Sequence, residues 1–372
     1  MNLSTIKFPK DLDSDFITTL KKRVRHYFKA NNISRFGNAN MVVKSIFMLS
    51  LYTLPYILMI AGIVTNVWLI LLMWILMGLG KAGIGLSIMH DANHGAYSKN
   101  PTINKWMGAS MSILGGSATN WKIQHNVLHH SYTNIDGMDE DINPGMIMRL
   151  SPHQKRYKLH RLQHLYCWFL YGIMTLGWLV TKDFKQLNRY KKKDLLKLHN
   201  VSYNKTLAKL ILSKLGYVFL IIVLPILLLP IPWYLTIAFF LLMHFVCGLL
   251  LACVFQSAHV VPSSEYPLPD EEGNLENNWA IHQLLTTSNF SPSSRIFSWF
   301  IGGLNYQIEH HLFPNICHVH YKKLSKIVKE TAQEFGLPYN SEPNFVKAVW
   351  NHARMLRDLG KYDMKDVKIA IH

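Results

Sequence analysis

Imidazole is concentrated in a few short stretches of this chain. His90 and His94 stand in HDANH, His125, His129 and His130 in HNVLHH, and His310 and His311 in QIEHH. A further histidine, His259, lies in FQSAHVV, one helical turn beyond Gln256. Nothing in packing a core asks for histidine in clusters. On a helix, residues three and four apart share a face. His90 with His94, His125 with His129, and Gln307 with His310 and His311 would each present their side chains together. A lone histidine at the end of an apolar run reads as an interfacial polar residue, and one pair at this spacing is ambiguous. Three such groups plus His259 point instead to metal ligation, because neutral imidazole is a favoured ligand and a crowd of protonated rings would repel. Zinc sites use three or four protein ligands, so eight histidines exceed one ion's needs and suit two. Imidazole accepts Zn, Cu, Fe and Ni, which leaves the metal open at this point. The carboxylate-rich pattern of soluble di-iron bundles is missing.

Such a constellation needs a scaffold, and the composition supplies one. Hydrophobic residues make up 49% of the 372 and charged ones only 16%, and the apolar residues are bunched. Residues 44–89 carry only Lys44 and Lys81 as charges, and residues 215–258 carry no Asp, Glu, Lys or Arg. A membrane span takes about 20 apolar residues, so each block holds two. The expected spans are about 44–63, 67–89, 209–229 and 232–257, broken by GIVTN at 62–66 and PIP at 230–232. Each pair is then a helical hairpin that returns to the side it left. The basic flanks, KKRVR at 21–25, KKK at 191–193 and the tail from Lys322, fall on that side, which the positive-inside rule makes cytoplasmic. The expected fold is all-α. It is a polytopic membrane protein with four transmembrane helices in two hairpins, and a cytoplasmic helical cap holds the metal site. Residues 1–40 form a cytoplasmic N-terminal segment, 41–330 the membrane domain, and 331–372 a cytoplasmic C-terminal helical tail. Both termini share the cytoplasmic side. Two weaker apolar stretches, about 105–118 and 166–181, read as interfacial helices.

Other features exclude more than they suggest. The start MNLSTIKFPKDLDSD lacks the basic beginning and short apolar core of a signal peptide. Cys167, Cys247, Cys253 and Cys317 form no CxxC pair, which removes cysteine-held zinc and iron–sulfur sites. The net charge of +17 could suit nucleic acid, but the basic residues flank membrane spans, where topology and anionic lipid explain them. NIDGMDEDINP at 134–144 lacks the alternating ligands of a calcium loop and reads as an acidic surface loop. His282 is left outside the metal site. His318 and His320 read as surface or supporting residues, and His153, His160 and His164 as interfacial ones.

HDANH, HNVLHH and GGLNYQIEHHLFP resemble the three histidine boxes of the integral-membrane fatty acid desaturases, over about residues 40–330. Gln307, where the third box usually begins with histidine, marks the front-end, delta-5/delta-6-like branch. The resemblance implies an oxidoreductase with a non-haem di-iron centre. It would use dioxygen and two electrons to introduce a cis double bond into a fatty acyl chain, presented as acyl-CoA or acyl-lipid. Carried over residue by residue, the two iron ions fall to His90, His94, His125, His129, His130, His259, His310 and His311. Gln307 is a weaker candidate, direct or through water. A narrow apolar tunnel between helices would hold the chain. One departure is that eukaryotic front-end desaturases carry a fused cytochrome b5 with an HPGG motif, which this sequence lacks. A separate electron donor, a ferredoxin or free cytochrome b5, is therefore expected. Two rivals stand beside this reading. A lipid or alkane hydroxylase could use the same scaffold, and a non-catalytic metal-binding transporter would place its polar residues mid-membrane.

Overall fold

The computed structural model describes residues 6–9 and 14–363. Most of the expected N-terminal start and the last residues of the expected tail lie outside that range. The chain is all-α. Its extended pairing among the described residues amounts to Asn289–Phe290 beside Ser341–Glu342, in parallel, and a single bridge between Lys7 and Asn274. The residues divide into two compact units. One comprises residues 39–123 and 168–252, the other residues 1–38, 124–167 and 253–372.

The first of these units carries the membrane-spanning helices, the last of them as far as residue 252. Four are long and apolar enough to cross a bilayer: Ala39–Ile60, Val67–Asn93, Tyr203–Leu228 and Trp233–His259. All four expected spans are therefore present, with shifted ends. The second runs on to Asn93 because a π-helical stretch, Ile84–Met89, continues the backbone without a break. His90 consequently falls inside the last turns of the span. The third begins at Tyr203 rather than near 209, since the Ser202 side chain accepts from Lys205 N and caps it there. At the first hairpin, Gly62 takes a φ of +70°, and the Asn66 side chain accepts from Trp68 N and Leu69 N to start the second span. Trp68, Leu212 and Leu227 are largely exposed, as residues facing lipid should be.

Close approach of these spans depends on glycine. A Cβ at Gly80 would lie 2.6 Å from Tyr52 N, and one at Gly78 would lie 2.8 Å from Met243 O. Small residues at such crossings let backbones meet. Beside them sits a polar cluster that the sequence did not announce. Fully buried Lys81 donates to Tyr217 Oη at 2.8 Å and lies 3.0 Å from His244 Nε2. Tyr217 Oη is 2.9 Å from the same nitrogen, and Thr175 Oγ1 is 2.8 Å from His244 Nδ1. The expected weak apolar stretches are helical here too, over Pro101–Ala109 and Gln163–Gly172 with short continuations.

The other unit is built around short helices that could not persist alone, because a helix nucleus is costly and few bonds repay it. Gln307–Leu312 has six residues and Trp279–Leu285 seven. Both are held by the amphipathic helix Ser14–Ala30, whose Phe16, Leu20 and Val24 recur every fourth residue. These pack in one cluster with Ile281, Leu284, Ile308, Leu312, Leu324 and Val328. Each large side chain so buried contributes about 1.5–3 kcal/mol, more than the exposed Arg23–Glu334 ion pair at the rim.

Candidate metal centre

The second histidine box is π-helical rather than α-helical over Lys122–His129. The distinction matters. In an α-helix His130 would point about 140° away from His125, whereas the wider π turn, closed by i→i+5 bonds, brings both neighbours round. His125 stacks on His129 with centroids 5.2 Å apart, and its Nε2 lies 3.2 Å from His130 Nε2. The expectation of one shared α-helical face for His125 and His129 is corrected to a π turn that gathers all three rings.

His259 and the third box meet this turn within the same unit. One ring nitrogen from each of His129, His259 and His311 lies within 4.8 Å of the other two, and the same holds for His130, His310 and His311. Ring centroids are 4.7 Å apart for His259 and His311, and 4.5 Å for His130 and His310. All six rings are buried.

What fixes their orientation is the set of partners on Nδ1. His129 Nδ1 is 3.0 Å from Asp139 Oδ2, His259 Nδ1 is 3.2 Å from the Thr286 carbonyl, and His311 Nδ1 is 2.8 Å from Gln283 Oε1. Carboxylate, carbonyl and amide oxygens only accept, so in each ring Nδ1 carries the proton and Nε2 the lone pair. His310 Nδ1 lies 3.2 Å from Tyr321 Oη. This is how metal-binding histidines are set by an outer partner. His259 Nε2 has no hydrogen-bond partner among the described residues. Imidazoles anchored at Nδ1 and gathered this closely fit a cation. The donor set suits a metal.

The acidic segment 134–144 is not the surface loop expected of it. Asp139 is buried and accepts from Asn134 N and Asp141 N while it holds His129. Asn134, at a φ of +59°, donates its side chain to the His259 carbonyl. Asp141 accepts from Gln124 and lies 3.6 Å from His129 Nδ1. Burial disfavours the charged form of His129, but Asp139 and then Asp141 outweigh it, and its pKa rises to about 8.

Gln307 is buried at 1% exposure, and neither of its amide atoms has a hydrogen-bond partner among the described residues. An amide in that state is costly unless something else binds it. Its neighbour Glu309 differs. Asn289 Nδ2 donates to one oxygen at 2.9 Å and Tyr339 Oη to the other at 3.0 Å. Burial pushes its carboxyl up to about 7 against the pull of those bonds.

His90 and His94 belong to the membrane-helix unit. Their centroids lie 4.8 Å apart, as the four-residue spacing requires, and Trp121 flanks both rings at 5.7 and 5.5 Å. Some other histidines sit deeper than expected. His318 and His320 are buried, with His320 Nε2 on the Phe36 carbonyl. His160 is also buried and pins a loop through Met146 O. His282, left outside the site, donates to Thr133 O at 2.9 Å, and burial lowers its pKa to about 4. Sequence reasoning missed Asp139, Gln283 and the Thr286 carbonyl, because each reaches its ring from a segment without a histidine motif.

Comparison with known proteins settles the class. The family model described as Fatty acid desaturase matches residues 66–343. This chain belongs to the fatty acid desaturase family. It is 37% identical to the sn-1 linoleoyl-lipid 6-desaturase of Synechocystis sp., over 93% of this chain and 96% of that protein. An acyl-lipid (8-3)-desaturase of Physcomitrium patens is 36% identical, over 96% of this chain and 74% of its own length. Delta(5) fatty acid desaturase A of Dictyostelium discoideum is 34% identical, over 96% and 78%. The front-end branch indicated by the third box is thus the right one. This desaturase is an integral-membrane oxidoreductase of lipid metabolism that acts on a fatty acyl chain.

Proposed function

We propose that this desaturase acts on acyl chains esterified in membrane lipid and inserts a cis double bond on the carboxyl side of an existing one. Its centre holds two iron ions on His90, His94, His125, His129, His130, His259, His310 and His311. The observation that carries the metal assignment is the convergence of Nδ1-anchored imidazoles around His129, His259 and His311. The preference for acyl-lipid follows the printed names of the Synechocystis and Physcomitrium relatives.

Iron bound there supplies the reduction of dioxygen coupled to loss of two hydrogens from neighbouring methylenes. The chain's own residues hold the geometry for it. Asp139, Gln283 and the Thr286 carbonyl keep the protons on Nδ1 and so keep Nε2 open to metal. Gln307, whose amide has no hydrogen-bond partner among the described residues, would be a further, weaker contact to an iron, direct or through water. Burial of the six rings excludes bulk water from the chemistry.

Residues 41–330 form the membrane desaturase domain, flanked by cytoplasmic segments 1–40 and 331–372, and the metal site faces the cytoplasm. The charge distribution around the spans supports this sidedness. Electrons come from a separate ferredoxin or cytochrome b5. The test is expression in a host of known lipid composition, followed by double-bond location within each lipid class and elemental analysis of the purified chain. Products two hydrogens lighter on intact glycerolipid, with close to two irons per chain, are expected. Oxygen gained in place of hydrogen lost would redirect the reading to hydroxylation, and one zinc without iron would overturn the di-iron assignment.

A further inference from the structure

The helix Trp279–Leu285 carries none of the histidine boxes, yet two successive residues grip the site. His282 Nε2 donates to the Thr133 carbonyl at 2.9 Å, and Gln283 Oε1 accepts from His311 Nδ1 at 2.8 Å. Thr133 follows directly on the second box, and its hydroxyl is 3.0 Å from the same Gln283 oxygen and 2.8 Å from the His129 carbonyl. Gln283 is fully buried. One amide oxygen therefore joins the turn after the second box to a ring of the third.

We infer that Gln283 is a positioning residue for the metal centre, one that selects the tautomer of His311 and locks the second box to the third. The inference rests on the metal reading above and deepens it. An amide oxygen at His311 Nδ1 requires a proton there, which leaves the lone pair on Nε2. Reversing the amide would present an N–H to Nδ1 and drive the proton to Nε2, the nitrogen the metal needs. Hydrophobic filling of the same volume would leave the Thr133 hydroxyl, 3.3 Å from Nδ1 and able to donate as well as accept, so the tautomer would no longer be imposed. The chemistry at this position thus calls for an acceptor, whether amide or carboxylate, and not merely for bulk.

That requirement separates positioning from packing. Gln283→Met keeps length and volume but offers no comparable acceptor, while Gln283→Glu keeps the acceptor and adds a charge in a buried place. If Gln283 only fills space, Met is tolerated and Glu is the damaging change. If it positions His311, the order reverses. The experiment uses full-length protein in lipid nanodiscs, dialysed against graded chelator and read by elemental analysis for iron, with a melting curve for each variant. Gln283→Met is expected to release iron at 10–100-fold lower chelator, the usual consequence of removing an outer partner of a ligand, while Gln283→Glu holds it as the wild type does. Should Met not fold, Gln283→Asn replaces it, since the shorter amide cannot reach His311 and should lose iron likewise. Iron retained by Met or Asn, or lost by Glu, overturns the assignment. Wild-type protein that holds no metal would sink the proposed centre and the Gln283 role together. Wild-type retention with an unaffected Met variant would sink only the latter.

Discussion

Two buried histidine environments in this chain use the same side chain to opposite ends. Around His129, His259 and His311, each ring gives Nδ1–H to an oxygen that can only accept, and the rings turn their remaining nitrogens into one small volume. His244, in the fourth span, has both nitrogens engaged. Thr175 takes Nδ1, and Tyr217 with Lys81 takes Nε2. The first arrangement keeps lone pairs available and suits a cation. The second closes on itself, and the Lys81 amine is already part of it. Inside a bilayer an ionisable residue such as Lys81 is costly and must pair, so this cluster reads as a clasp that joins three spans and the Thr175 segment. Anchoring one nitrogen makes a ligand; anchoring both makes a strut.

The largest effect expected from this contrast comes from the box histidines. His94→Ala, His129→Ala and His310→Ala, one from each box, should each abolish desaturation while the protein still inserts, as judged by fatty acid profiles of expressing cells alongside membrane fractionation. Near wild-type product from any of them would remove that box from the centre. Asp139→Asn should come next, with 10–100-fold weaker metal retention, since the partner that orients His129 loses its charge. Without metal, the same pair gives a pH signature. The folded pKa of His129 is raised to about 8, above the ordinary 6.5, so its stabilisation is complete below about pH 6.5 and lost as pH rises through 8. Metal-free wild type should therefore exceed metal-free Asp139→Asn in stability, by most at mildly acidic pH. A gap that widens toward pH 9 would contradict the assignment.

His244→Ala probes the other side of the comparison. Loss of the imidazole leaves Lys81, Tyr217 and Thr175 with broken hydrogen bonds, at a cost of about 1–3 kcal/mol for each buried group left unpaired. The melting temperature should fall while iron content stays at the wild-type level. Lys81→Met in the His244→Ala background should recover much of the loss, because the stranded charge is gone. Iron lost along with stability would mean that the clasp and the centre are not separable.

How much of this could be read beforehand follows the same division. The box histidines were legible because their spacing repeats along the chain, and the four spans because apolar runs of that length have few other uses. The π turn of the second box was not, since i→i+5 bonding has no residue signature. Helical periodicity alone gives His125 and His129 a shared face and puts His130 slightly around the helix. Asp139 looked like loop because its neighbours are acidic and polar, and only tertiary folding shows that it is buried against His129. His244 escaped notice for the opposite reason. It stands alone in a run without Asp, Glu, Lys or Arg, and its partners arrive from residues 81, 175 and 217.

The smallest expected effect concerns electron supply, where a surface rather than a buried ring is at issue. Lys185, Arg189, Lys191, Lys192 and Lys193 are exposed on and just after the helix Asp183–Lys192. Lys182 is half-buried over the Trp178 ring, Lys191 lies over the Tyr203 ring, and Lys197 pairs with Asp194, so the segment is basic without being wholly uncommitted. Membrane topology and anionic lipid already account for much of that charge. An acidic donor would add a second use, and the two are compatible. Steering by such a surface acts on encounter rate and fades as salt screens it, unlike the buried contacts around His129. Turnover with purified reduced donor should therefore slow severalfold when Lys191, Lys192 and Lys193 are all changed to Gln at about 50 mM salt, and the difference should close near 300 mM. Iron content should not change, which separates this variant from those at the centre. Equal rates at low salt would take the segment out of donor docking and leave it to lipid.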